Sequence, residues 1–98
     1  VIEMIERVKI NTYGDSVNAN NAMRVEIGDM TLWFSYHTLI AFKMERGKIK
    51  VCENCWGSTT GKHLNYIDGG DDKNRIRRDL FEQEVVEILR NYGLMNYV

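Results

Sequence analysis

The sequence predicts a small α+β domain, and two observations carry that prediction. Residues from Arg24 to Asn54 fall into short β-rich runs separated by Gly-containing turns. After them, Leu80, Phe81, Val85, Ile88, Leu89 and Tyr92 recur at helical spacing. An antiparallel sheet of four to five strands followed by a helix laid across one face fits both. The 98 residues suffice for one domain, 1–98, with one core.

The elements follow in order. In residues 7–13, Val8, Ile10 and Thr12 alternate with Lys9, Asn11 and Tyr13, which is a strand period; Ile2, Ile5 and Val8, three apart, leave a short helix as the competing reading. Residues 14–21 are rich in Gly, Asp, Ser and Asn and read as a loop. Residues 24–36 read as a hairpin about Gly28-Asp29. In its second arm Met30, Leu32, Phe34 and Tyr36 share a face, while Trp33 on the other face implies that this side is partly covered too. A second hairpin spans 38–54, turning at Glu45-Arg46-Gly47 and returning through the alternating run 48–54. Ser58 or Thr59 is expected to cap a short helix near 59–67, and 68–72 form a loop. A C-terminal amphipathic helix is expected near 77–92, with Asp79 and Glu82 at its start, Arg90 in its last turn and Gly93 as its stop.

Composition removes several classes of function. An apolar content of 44% excludes a disordered chain. No run approaches the roughly 18 apolar residues of a membrane span, and residues 1–7 lack the apolar core of a signal peptide. A net charge of −1 gives no global argument for nucleic acid. Two cysteines make no disulfide framework, so a reducing, cytoplasmic setting is expected. Cys52 and Cys55 with His37 and His63 are the conceivable metal set, but the histidines form no ligand pair. Neither metal nor other cofactor is expected.

The densest chemistry lies in Trp56-Gly57-Ser58-Thr59-Thr60-Gly61-Lys62-His63-Leu64-Asn65. Two readings compete. In one, Trp56, Ser58, Thr59, Thr60, Lys62 and His63 form a binding site, with hydroxyls and helix N-terminal amides facing an anion. In the other they make a capped strand-to-helix joint sealed by the indole. The order of the Gly-Lys pair rules out a P-loop, because His63 follows Lys62. A second constellation is two basic clusters, Lys43, Arg46, Lys48, Lys50 and Lys73, Arg75, Arg77, Arg78, which suit a phosphate backbone or simply a mixed-sign surface. A third reading is a small hydrolase or nuclease centred on His63, which requires a carboxylate, hydroxyl or thiol within about 3 Å of the imidazole.

Ser35-Tyr36-His37-Thr38-Leu39-Ile40-Ala41-Phe42, with Glu53-Asn54-x-Trp56-Gly57-Ser58-x-Thr60-Gly61-Lys62-His63-Leu64-Asn65, resembles a small uncharacterised family of short accessory proteins from phages, plasmids, bacteria and archaea. The similarity runs from Ser35 to Leu89 and is most specific in the Trp56–Leu64 segment. It implies no activity. It directs attention to Trp56, Thr59, Thr60, Lys62 and His63, and leaves the cysteines outside the pattern. The resulting expectation is a non-enzymatic binding or interaction protein that uses the Trp56–Tyr66 segment and the adjacent hairpins, with a macromolecular partner, protein rather than nucleic acid, and no membrane association. Its sheet edges are open to self-association as a homodimer. A nucleic-acid-binding module and a His63-centred hydrolase stand as alternatives.

Overall fold

A computed structural model describes residues 8–14, 21–91 and 93. Five antiparallel strands form a meander in the order β1 (Val8–Thr12), β2 (Ala22–Ile27), β3 (Met30–Ser35), β4 (Thr38–Met44) and β5 (Lys50–Val51). Helix α1 (Ser58–Asp68) and helix α2 (Arg78–Asn91) follow, separated by a single 3-10 turn at Asp72–Asn74. The α+β class, the strand at the start of the chain and the C-terminal helix are as the sequence predicts. The expected loop at 14–21 and the last apolar position of the helix stripe, Tyr92, lie largely or wholly outside the described residues.

The two helices cover opposite faces of the sheet. Side chains alternate along a strand, so β2, β3 and β4 feed two cores, one on each face. Ala22, Trp33, Ala41 and Val51 pack with Tyr13 and with Leu64 of α1. Met30, Leu32, Phe42 and Cys52 pack with Phe81 of α2, and Val85, Ile88 and Leu89 join them. Trp33, expected to be partly covered, is 9% exposed beneath α1. A β-bulge near the Trp33/Phe34 step inserts Ile40 between the residues paired with them, Ala41 and Leu39. Ile40 thereby joins Ala41 in the α1 core and is fully buried.

Both tight hairpins bend at a residue of positive φ. Gly28 (φ 57) starts the Gly28-Asp29 turn, where lack of a Cβ removes the strain. Tyr36 (φ 56) occupies the same place in the Tyr36-His37 turn. Tyr36 therefore lies in the turn, not on the strand face shared by Met30, Leu32 and Phe34. A bulky residue in the left-handed region costs about 1–2 kcal/mol.

The second hairpin is shorter than its alternation suggests. Only Lys50 and Val51 pair with β4, opposite Phe42 and Ala41. Lys48 and Ile49 belong to the loop, with Ile49 exposed. Alternation marks an extended chain; it does not supply a partner backbone. Past Val51, Cys52 N still donates to Ile40 O of β4 (2.9 Å), and the chain gains a second neighbour on its other side. Cys52 makes a parallel bridge with Ile76; Ile76 N donates to Val51 O (2.7 Å) and Glu53 N to Ile76 O (2.8 Å).

Glu53 then links this edge to α2. Its Oε1 accepts from the backbone N of Arg78 at 3.1 Å, satisfying a donor in the first turn of that helix. Asn54 forms a local turn, with Oδ1 accepting from Trp56 N (3.0 Å) and Nδ2 donating to Gly57 O (3.3 Å). A Cβ at Gly61 would lie 3.0 Å from Asn54 Nδ2, so glycine lets this turn close against α1.

Candidate functional site

α1 is capped differently from the sequence expectation. Gly57 is its N-cap, and no side chain caps it, neither Ser58 nor Thr59. The helix ends at Gly69, whose φ of 69° is the left-handed stop that glycine adopts without strain. The hydroxyl of Thr60 has a tertiary role. Thr60 and His63, three apart, share the face of α1 turned to the sheet, where Ser35 ends β3 on the same side as Trp33. Ser35 Oγ lies 2.8 Å from Thr60 Oγ1 and 2.7 Å from His63 Nδ1. All three side chains are buried: Ser35 is 2% exposed, Thr60 7% and His63 7%.

A serine hydroxyl has one proton to give, so two proton orders fit this trio. Either Thr60 donates to Ser35 and Ser35 to His63, or the imidazole N–H donates to Ser35 and Ser35 to Thr60. A neutral ring satisfies both. Burial opposes charge on the ring and lowers the His63 pKa from its ordinary value. The hydroxyl that a His63-centred hydrolase requires is thus within reach, but it is enclosed and already bonded twice.

Around the imidazole runs a row of rings. Tyr66 meets Tyr13 (centroids 5.9 Å apart), Tyr13 meets His63 edge-on (6.0 Å), and His63 meets Tyr36 (6.3 Å). The middle of the row is buried and its ends are open: Tyr36 is 48% and Tyr66 61% exposed. Tyr13 donates its hydroxyl proton to Phe34 O at 2.8 Å, and burial raises its pKa. Tyr36 N donates to Asn21 O at 2.7 Å, tying the strained turn to the start of β2.

The residues singled out from sequence divide. Trp56 is half-buried at the edge between the two cores, with the Arg78 guanidinium 5.4 Å from its ring centre, a cation–π contact that seals this edge. Thr60 and His63 point inward, Thr59 is half-buried, and Ser58 and Lys62 face solvent. The six do not gather around one concavity. Tyr13, Ser35 and Tyr36 are the members of the site that sequence reasoning missed. Strand parity holds the signal for Ser35, two residues from Trp33 and hence on the same face.

The basic clusters are also dispersed. Lys43 and Lys50 lie on opposite faces of the sheet, with Arg46 and Lys48 in the exposed turn between them. In the second cluster Lys73 is exposed, and each arginine has a carboxylate: Arg75 with Asp68 (2.8 Å), Arg77 with Asp79 (2.6 Å) and Arg78 with Glu82 (2.9 Å). Both cysteines are free thiols. Cys52 is fully buried, which pushes its pKa up to about 12; Cys55 is exposed, its Sγ 3.6 Å from Glu53 Oε1. Among the described residues no three His, Cys, Asp or Glu side chains are grouped to hold a metal ion, and no helix is long and apolar enough to cross a membrane.

Burial of neutral His63 has a pH signature. Its folded pKa lies below the unfolded value of about 6.5, so the unfolded chain binds the proton more readily. The His63 contribution is fully present above pH 6.5 and declines as pH falls through and below that value. In urea titrations at pH 7.5 and 5.5, the wild-type chain is expected to lose stability at the lower pH, and His63→Gln to lose less. Equal pH dependence in wild type and His63→Gln would contradict a buried neutral imidazole.

Comparison with curated proteins and with solved structures gave no match. Comparison with protein-family models gave a match over residues 3–83, which takes in all five strands, α1 and the first turn of α2. The match thus starts well before Ser35, where the sequence resemblance begins, and includes Tyr13 as well as Ser35, Tyr36, Thr60, His63 and Tyr66. The chain belongs to the family of unknown function DUF8033.

Proposed function

We propose that the chain is a non-enzymatic binding protein, of the accessory kind found in prokaryotes and their mobile elements, whose working surface is the exposed side of α1 and the adjoining Tyr36-His37 turn. The observation that carries this reading is the ring row Tyr66–Tyr13–His63–Tyr36, anchored in the middle and open at both ends. Tyrosines held by buried neighbours offer large contact area at small entropic cost, which favours recognition of another macromolecule. Tyr36 keeps a strained backbone where glycine would relax, and strain of this kind is concentrated at functional positions. Lys62 stands on the same helix, one turn before Tyr66, and adds a positive charge. The prokaryotic background rests on the resemblance of residues 35–89.

A protein partner is favoured over nucleic acid because Arg75, Arg77 and Arg78 are engaged by carboxylates. The test compares what the wild-type chain and a Tyr36→Ala/Lys62→Ala/Tyr66→Ala variant retain from a lysate of the source cells, measured by quantitative mass spectrometry. The expected outcome is loss of a specific protein by about tenfold or more, the scale of a lost 1.4 kcal/mol contact, with unchanged circular dichroism. Glu87→Ala, on α2, is expected to retain it. Identical retention by all three chains would overturn the reading. Oligonucleotide binding that collapses between low and moderate salt would favour the nucleic-acid alternative.

A further inference from the structure

We propose that two copies of this chain associate by antiparallel pairing of β1 with β1, about a two-fold axis through Ile10. β1 is the first strand of the meander, and all five of its residues are exposed. Among the described residues nothing pairs with its outer edge. The backbone register fixes which groups that edge presents. Tyr13 N donates to Ala22 O, and Tyr13 lies next to the pair Thr12↔Met23. Hydrogen-bonded and non-bonded pairs alternate in an antiparallel ladder, so Lys9 and Asn11 turn their backbone groups toward β2. Val8, Ile10 and Thr12 turn theirs outward.

A second β1 must pair outward residues with outward residues, which restricts the register. Centring on Ile10 sets Ile10 against Ile10, Val8 against Thr12 and Lys9 against Asn11, and uses the whole strand. Centring on Lys9 sets two lysines opposite each other, a destabilising arrangement, and shortens the pairing. Centring on Asn11 also shortens the pairing, so of these two-fold registers the Ile10-centred one alone uses all five residues of β1. It also concerns apolar surface. Val8 and Ile10 are 42% and 62% exposed and adjoin half-buried Ile27 and Val25 on the α2 side of the sheet. A two-fold axis normal to the sheet keeps that side common to both copies and makes one apolar stripe of the two. With a net charge of −1 per chain, long-range repulsion between copies is small.

Sedimentation equilibrium on the full chain, from about 1 μM to about 1 mM, a span that covers weak to moderate affinities, tests this. The expected result is a mass that rises to twice the single-chain value with concentration. Ile10→Lys, which brings like charges together at the axis, is expected to hold the mass at the single-chain value. Because Ile10 is exposed and its backbone groups face outward, circular dichroism of the variant is expected to match wild type. A Cys55→Ser background carrying Ile10→Cys reports the register independently, since the paired positions lie at disulfide distance: mild oxidation is expected to cross-link the two copies. A single-chain mass throughout would overturn the proposal. So would a dimer that survives Ile10→Lys and fails to cross-link.

Discussion

Phe81→Ala is expected to lower the unfolding free energy by about 3–5 kcal/mol, the range for removing a buried phenylalanine ring. Phe81 is 2% exposed, and it is the one residue of α2 fully buried among those described. Its ring meets Phe42 at 5.5 Å between centroids and joins Met30, Leu32 and Cys52. The rest of α2 packs less deeply: Val85, Ile88 and Leu89 are half-buried, and Leu80 is 45% exposed. Truncation thus removes the anchor that holds this layer to the sheet. Chemical denaturation followed by circular dichroism measures the loss. Hydrogen exchange is expected to show faster exchange across α2 than across α1, whose core lies on the other face. A loss below about 1 kcal/mol, within the ordinary spread of surface substitutions, would mean that α2 does not hold its layer through Phe81.

Arg75→Ala is expected to cost about 2 kcal/mol near neutral pH. Arg75 grips Asp68 with two hydrogen bonds, Nε to Oδ2 (2.8 Å) and Nη2 to Oδ1 (3.0 Å), and Nη2 reaches Asn65 Oδ1 at 2.9 Å. The side chains are 9% and 11% exposed. This clamp joins the end of α1 to the segment that bridges Cys52. Breaking a fully buried pair costs about 3–5 kcal/mol because it strands a charge; residual access to water places this one lower.

The cost should depend on pH. Burial pushes the Asp68 carboxyl up, but the Arg75 hydrogen bonds, with the Gly70 N–H, hold it net below its ordinary value. A carboxylate with a depressed folded pKa contributes stability above its unfolded pKa of about 4 and loses it as pH falls through the folded value. The difference between wild type and Arg75→Ala should therefore be largest near pH 7 and shrink in acid. This window lies below that of His63, so urea titrations across pH 3–7.5 separate the two. A difference independent of pH would mean that Arg75 acts by packing alone.

The same clamp shows where sequence reasoning stopped. Arg75 belongs, in composition, to a basic cluster suited to phosphate. In the fold it is the partner of a carboxylate seven residues away. Charge type is visible in a sequence; the state of the charge depends on what folding places beside it. The Cys52–Ile76 bridge is similar, since no local pattern announces that Ile76 will lie along the sheet edge.

Local patterns alone determined the hairpin about Gly28-Asp29, the strand at the start of the chain, the C-terminal amphipathic helix and hence the α+β class. Each depends on neighbours in sequence: a residue free to take positive φ, a period of two, a period of 3.6. The tertiary structure decided the rest. It placed the two helices on opposite faces, cut the second hairpin to a short ladder, and drew Thr60 away from helix capping. Thr60 meets Ser35 across 25 positions, and His63 meets Ser35 across 28. A threonine hydroxyl serves a helix end or a buried serine with the same chemistry, so its identity cannot distinguish the two. Only the packing of α1 against the end of β3 does, and that packing also gathers Tyr13, Tyr36 and Tyr66 around His63.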